Sequence, residues 1–194
     1  MQELVIASHN MGKLKEIGDL FAPYGISLLP QASLGIGDCS EPHPTFIENA
    51  LAKARHASAH SGKAALADDS GLCVAALHGA PGVLSARYAG KPQSATRNNQ
   101  KLLQALQGET HREAYFYCVM VLLRHPEDAQ PIIAEGMWAG SIIDDPRGEA
   151  GFGYDPIFYD PRLGLSAAEM NADTKNTYSH RAQAVRNLLK KLSL

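Results

Sequence analysis

Ala67-Asp68-Asp69-Ser70-Gly71-Leu72 is the stretch on which the reading of this chain turns. It follows a short apolar run, Lys63 to Ala67, that reads as a buried strand over Ala64 to Ala67. The strand end then delivers two adjacent carboxylates, a hydroxyl and a glycine to a turn. Such an oxygen-rich pair suits a hard divalent cation of the Mg²⁺ type, which takes one or two carboxylates, several waters and substrate phosphates. Two neighbouring aspartates cannot both be buried and ionised without a compensating cation. The plainer alternative is that one caps the turn while the other faces water.

Upstream of this stretch, Thr45 to His60 is the clearest helix. Thr45 is placed as N-cap, with Glu48 three residues on completing a capping box. Ala50, Leu51, Ala54 and Ala57 form a thin apolar face suited to close packing. Further back, Leu4 to Ala7 reads as a strand, Ser8-His9-Asn10-Met11-Gly12-Lys13 as a turn, and Lys13 to Phe21 as a helix closed by Pro23 and Gly25. Ile26 to Leu29 reads as a second strand and Gln31 to Pro44 as a loop. Downstream, turns flank Leu84 to Tyr88, and Ser94 to Leu106 reads as a helix stopped by Gly108. Glu113 to Arg124 reads as a long strand, and Pro131 to Ile143 as one or two more, antiparallel for want of a helix between them. Phe152 to Tyr159 is a short aromatic segment. Tyr178 to Leu192 is expected to be one final helix with Ser179 as its N-cap. The pattern is a mixed α/β fold.

The 194 residues fit one domain, with room for two lobes, and no linker interrupts them. A net charge of -2 excludes bulk attraction to nucleic acid or anionic membrane, so any phosphate-binding cations must be local. The three cysteines show neither zinc nor redox spacing, and Cys73 and Cys118 sit in apolar runs as small core residues. No signal peptide and no apolar run of about 18 residues is found, so a reducing cytoplasm is the expected compartment.

Three further clusters can carry chemistry. Ser8 to Lys13 joins a strand to a helix, where backbone N–H groups bind anions, Gly12 permits close approach and Lys13 adds a charge. It also reads as an ordinary connection, and it is not a P-loop. Phe152-Gly153-Tyr154-Asp155-Pro156 puts aromatic faces beside an acid, which suits a nucleobase or, equally, a core-facing strand entry. Lys175, His180 and Arg181 precede or open the last helix and offer donors to a carbonyl or phosphate. Lys53 on the Thr45 helix is either a solvated charge or a ligand. Glu41 is the best distant carboxylate to join a metal with Asp69, since capping already explains Glu48.

Taken in order, Ser8 to Lys13, Thr45 to Ala50, Ala67 to Leu72, Ser85 to Gly90, Gly151 to Pro156 and Ser179-His180-Arg181 resemble the inosine triphosphate pyrophosphatase (Ham1-like) family, from about Leu4 to Leu192. The resemblance implies a two-lobed α/β fold over 1–194, with a long curved mixed sheet flanked by helices and a central substrate cleft. It also implies a homodimer and Mg²⁺-dependent hydrolysis of ITP, dITP and XTP to the monophosphate and pyrophosphate. By position, Ser8, His9, Asn10, Met11, Gly12 and Lys13 would hold the triphosphate. Glu41 and Asp69 would hold the metal, with Asp69 also the general base and Asp68 in support. Lys53 and Ser70 would contact substrate, and Phe152, Gly153, Tyr154 and Asp155 would line the nucleoside pocket. Lys175, His180 and Arg181 would complete the site, with the last two donating to the 6-carbonyl that adenine lacks.

Two departures from the family pattern stand out. Glu41-Pro42-His43-Pro44-Thr45 replaces Glu-Thr-Gly-x-Thr, and Thr174 stands where a glutamate is usual beside the lysine. Two other readings remain open: a pyrophosphatase for other modified bases, and a silent nucleotide-binding protein.

Overall fold

The computed structural model describes residues 3–193. Met1, Gln2 and Leu194, the ends of the domain expected over 1–194, lie outside the described residues. The chain divides into two compact units. The first takes Met1–Asp69, Cys118–Gly136 and His180–Leu194, and the second Ser70–Tyr117 and Met137–Ser179.

The first unit begins as two strand-helix-strand steps. β1 (Glu3–Ile6) leads into α1 (Met11–Phe21), then β2 (Ser27–Pro30). α2 (Phe46–Ser61) leads into β3 (Ala65–Val74). β1 pairs in parallel with β2, Leu4 opposite Leu28, and with β3, Ile6 opposite Leu66. Helical crossovers make this parallel pairing possible. Leu4, Ile6, Ile17, Phe21, Leu66, Met120, Leu122, Val185 and Leu188 belong to one continuous core. β3 is buried along almost its whole length, as expected of a strand covered on both faces.

Here the structure corrects the sequence reading. Asp68, Asp69 and Ser70 do not sit in a turn after a four-residue strand; β3 runs straight through them to Val74. An Asp-Asp-Ser-Gly string has poor intrinsic strand propensity, and its tertiary surroundings override that.

The second unit contains α3 (Ala95–Ala105), with Ser94 as N-cap, the start of the long strand β4 (Glu113–Leu123) and the end of the long strand β5 (Ile132–Ile142). The Ile142 N–H donates to the Arg112 carbonyl at 2.9 Å, so the end of β5 lies beside the start of β4, as an antiparallel pair requires. β6 (Phe158–Asp160) and β7 (Leu165–Ser166) extend the sheet antiparallel and were not anticipated as strands, being only three and two residues long. Phe116, Trp138 and Phe158 cluster in this core, and Trp138 Nε1–H donates to buried Asp160 at 2.7 Å. The described strands form one open mixed sheet in the order β2-β1-β3-β4-β5-β6-β7, flanked by helices. No helix among the described residues is long and apolar enough to cross a membrane.

The final helix begins directly after Ser179, as its reading as a cap requires, and a short helix that was not anticipated precedes it. α4 (Ala172–Tyr178), capped by Asn171, stops at Ser179, whose ψ of 155° is extended, and α5 (His180–Lys191) starts afresh. The sequence reading missed α4 because its seven residues carry no apolar period. α5 packs directly on β5: a Cβ on Gly136 would stand 2.0 Å from the His180 carbonyl oxygen and 2.6 Å from the Ala184 nitrogen. Gly136→Ala is therefore expected to cost about 1–3 kcal/mol by overpacking, read as a lowered urea midpoint at unchanged slope. An unchanged midpoint would show that this close approach is not required.

Candidate active site

The first constellation is built by a strand between helices. Successive side chains on a strand point to opposite faces, so Asp68 and Asp69 are dealt to different neighbours. Asp68 Oδ2 accepts from Lys13 Nζ of α1 at 2.9 Å and lies 3.8 Å from Arg181 Nε of α5. Asp69 meets α2 instead: Lys53 Nζ stands 3.3 Å from its Oδ1, and Asn49 Nδ2 donates to its Oδ2 at 3.4 Å. Asn49 and Lys53 are four residues apart, on one stripe of α2.

The sequence explains how each partner arrives. Asn10 is the N-cap of α1, its side chain accepting from the Lys13 N–H at 3.1 Å, which sets Lys13 in the first turn. Ser8 Oγ accepts from the Asn10 N–H at 3.2 Å and tightens the same turn. Thr45 caps α2 as expected, although Glu48 returns to the Thr45 hydroxyl, at 2.5 Å. The Pro42-His43-Pro44 loop is clipped onto α2 by Asn49, which accepts from the His43 N–H at 3.0 Å and donates to the His43 carbonyl at 3.1 Å. That loop carries Glu41 to Lys53, with Oε1 2.8 Å from Nζ.

Electrostatics separate the two aspartates. Burial opposes the charge on Asp68, but Lys13, Arg181 and Lys53 outweigh it and hold its carboxyl well below the ordinary carboxylate range. Burial pushes Asp69 the other way, above that range, with Glu41 and Asp68 adding to the rise against Lys53 and Lys13. Lys53, although buried, is held above the usual lysine value by Asp69, Asp68 and Glu41. Arg181 is likewise buried, and Glu16 and Asp68 keep its guanidinium charged. Burial pushes the Cys118 thiol up to about 12, which leaves it an inert core residue.

Among the described residues, no three His, Cys, Asp or Glu side chains converge as a preformed metal cage. What does converge is a pair of carboxylates, Glu41 and Asp69, on the single ammonium of Lys53. That pair already attracts a cation, and its oxygen donors suit a hard one. Asp68, expected in support of a metal, is committed to Lys13 and Arg181.

The second constellation lies in the second unit. The Phe152 N–H donates to Asp155 Oδ2 at 2.8 Å, and Lys175 Nζ of α4 donates to the same oxygen at 2.6 Å. Lys175 Nζ also stands 5.1 Å from the Phe152 ring centroid, within cation–π range. Only glycine fits at 151: its φ is +77°, and a Cβ would lie 2.1 Å from Asp155 Oδ2. The Tyr154 side chain turns inward, which leaves only its backbone to face a pocket. Its ring is buried in the core and its hydroxyl donates to the Ser85 carbonyl at 2.8 Å. Asp155 is also buried and serves to hold Phe152 and Lys175. Asn171 N-caps α4 through the Thr174 N–H, so the threonine at 174 takes part through its backbone.

Of the other expected residues, Met11 is exposed at the first position of α1, and Ser70 follows Asp69 in β3. His180 and Arg181 open α5 and are buried. Arg181 belongs to the Asp68 constellation, its Nη1 donating to Glu16 Oε2. His9 Nδ1 is hydrogen-bonded to Asp38 and lies 3.0 Å from Gln31 Nε2. Glu16, Asn49, Gln31 and Asp38 were not singled out from the sequence. Helical spacing could have found two of them, since Glu16 lies three residues after Lys13 and Asn49 four before Lys53; Gln31 and Asp38 meet His9 only through the fold.

Comparison with known proteins bears on both constellations. A model of the Ham1 family matches residues 4–191. The dITP/XTP pyrophosphatase of Nitrosomonas europaea is 58% identical over 193 residues, covering 100% of this chain and 95% of that protein. The dITP/XTP pyrophosphatase of Neisseria meningitidis serogroup B is 57% identical, covering 100% of this chain and 98% of that protein. Among solved structures, a HAM1 protein from Coxiella burnetii superposes with a TM-score of 0.92 at 46% identity, covering 100% of this chain and 99% of that one. The Staphylococcus aureus Ham1 protein superposes with a TM-score of 0.88 at 39% identity, covering 98% of each chain. With its family motifs held in place by the contacts described above and its whole length matched, this chain belongs to the Ham1 family.

Proposed function

We propose that this protein is a nucleoside triphosphate pyrophosphatase that hydrolyses purine triphosphates carrying a 6-oxo base, namely ITP, dITP and XTP, to the monophosphate and pyrophosphate. The names of its full-length relatives support the reaction class. The observation that carries it within this chain is Asp69, a buried carboxylate with a raised pKa beside Lys53 and Glu41. A base poised nearer the working pH is what water activation requires.

In this reading Ser8 to Lys13 take the triphosphate at the start of α1, and Lys53 neutralises its charge. Asp69 accepts the proton of a water that attacks the α-phosphorus. The bond from that phosphorus to the bridging oxygen breaks, and pyrophosphate leaves. Phosphoryl chemistry of this kind depends mostly on positioning and charge stabilisation. Glu41 and Asp69 would hold Mg²⁺, which supplies charge neutralisation at the phosphates when bound. Phe152 stacks on the base, Lys175 and Asp155 hold the aromatic loop, and His180 and Arg181 donate to the 6-carbonyl. The enzyme works in the cytoplasm as a homodimer, cleansing the precursor pool of deaminated purines.

The test is pyrophosphate release from ITP, XTP, ATP and GTP at equal concentration with Mg²⁺, repeated with excess EDTA. Release from ITP and XTP that far exceeds ATP and GTP and stops with EDTA is expected. Equal release from all four would overturn the selectivity, and persistence in EDTA would overturn the metal. No release from any would put a silent nucleotide binder in its place.

A further inference from the structure

Two adjacent asparagines on α3 are treated differently by the fold. Asn98 is satisfied at both ends of its amide. Its Nδ2 donates to the Ser85 and Ala86 carbonyls at 3.2 and 3.0 Å, and its Oδ1 accepts from the Ala89 N–H at 2.7 Å. That makes it an anchor for the segment after Pro81. Among the described residues the Asn99 side chain makes one bond: its Nδ2 donates to the Gly153 carbonyl at 3.1 Å, across 54 residues of chain. Its Oδ1 is shut off from solvent and has no partner among the described residues. An orphaned buried acceptor is costly, and an apolar side chain of the same shape would avoid it. A position kept for stability alone has no use for this amide; what the amide supplies is its donor to Gly153.

That donor fixes a peptide plane. The Gly153–Tyr154 bond is not among the cis peptides, and in a trans peptide the carbonyl and the following N–H point opposite ways. With the Gly153 carbonyl held toward α3, the Tyr154 N–H is directed to the side away from α3. The plane sits immediately after Phe152, whose N–H and ring are held by Asp155 and Lys175. Released from Asn99, the glycine-flanked peptide can turn over and present an acceptor where it now presents a donor.

We propose that Asn99 is a specificity-determining positioning residue, latching the Gly153–Tyr154 peptide so that the aromatic loop offers a bound purine a backbone donor and never an acceptor. This rests on the reading that the Phe152 to Asp155 loop receives the base. A donor matches the 6-carbonyl of hypoxanthine or xanthine; it meets the 6-amino group of adenine donor against donor. Asn99 touches no reacting atom and acts only through this peptide.

The test compares kcat/KM for ITP and ATP in wild type and Asn99→Leu, alongside thermal melting. Leucine keeps the shape, removes the orphaned oxygen and removes the latch. The ITP-to-ATP ratio is expected to fall about tenfold while the melting midpoint holds or rises. A lowered midpoint with an unchanged ratio would mark Asn99 as structural and overturn the inference, as would an unchanged ratio at any midpoint. Should Asn99→Leu fail to fold, Asn99→Asp, which sets an acceptor against the Gly153 carbonyl, carries the same expectation, and an unchanged ratio there overturns it equally. A wild type without preference for ITP over ATP would instead refute the functional reading beneath it.

Discussion

Asp69→Asn is expected to lower ITP turnover by about 10²–10⁴-fold, the range a positioned general base supplies, while the fold survives. The same substitution is expected to raise the melting midpoint in metal-free buffer at neutral pH. Burial raises the Asp69 carboxyl above its ordinary range, helped by Glu41 and Asp68. A folded-state pKa above the unfolded value contributes stability that is present below the unfolded pKa and lost as pH rises through the folded one. That contribution falls away as pH rises through the folded value, and a neutral asparagine, which buries no carboxylate, does not lose it. Lys53 keeps Glu41 at 2.8 Å, so it is not left without an anion. Activity at this position is held against stability, as at many sites built for chemistry. Turnover within a few fold of wild type would remove Asp69 from the proposed role, and a lower midpoint would overturn the electrostatic account.

One residue earlier the sign reverses. Asp68→Asn is expected to destabilise the protein by about 3–5 kcal/mol at neutral pH, the usual cost of breaking a buried ion pair from one side. Lys13, at 2.9 Å, and Arg181, at 3.8 Å, would lose an anion that almost no solvent can replace. Lys13, Arg181 and Lys53 overcome the burial penalty and depress the Asp68 pKa. A depressed folded-state value contributes stability present above the unfolded pKa, near 3.9, and lost as pH falls through the folded one. The gap between wild type and variant in urea should therefore narrow as pH drops below about 4. A cost under about 1 kcal/mol at neutral pH would show that Asp68 is not the anchor of this charge cluster. Two neighbouring aspartates with opposite effects on stability would be direct evidence that β3 passes through them.

That contrast marks how far the sequence could be read. Thr45, Glu48 and the buried stripe Ala50, Ala54, Ala57 announce α2, because capping and a 3.6-residue period are local properties. The helix read from Lys13 is α1, and it starts two residues earlier, at Met11, because Asn10 of the expected turn is its cap. The motifs around these elements sufficed to indicate the family and the set of residues to examine. Ser179 marked the start of the final helix correctly, but the short α4 before it and the two- and three-residue strands β6 and β7 were illegible, since elements so short carry too few residues for a period to show.

The chain by itself determined an α/β fold with acids, lysines and an aromatic loop in a family order, because helix periods, caps and motif spacing are written in neighbouring residues. Only the tertiary structure decided what each charge does. Asp68 and Asp69 are indistinguishable as letters, and strand alternation sends one to Lys13 and Arg181 and the other to Lys53 and Asn49. Burial raises both carboxyls, and the cations around Asp68 overcome it while those around Asp69 do not, so the net pKa shifts are opposite. Tyr154, which as a letter suits a base pocket, is turned into the core by its hydrogen bond to Ser85. Burial and partners belong to three-dimensional neighbours, which no local pattern encodes.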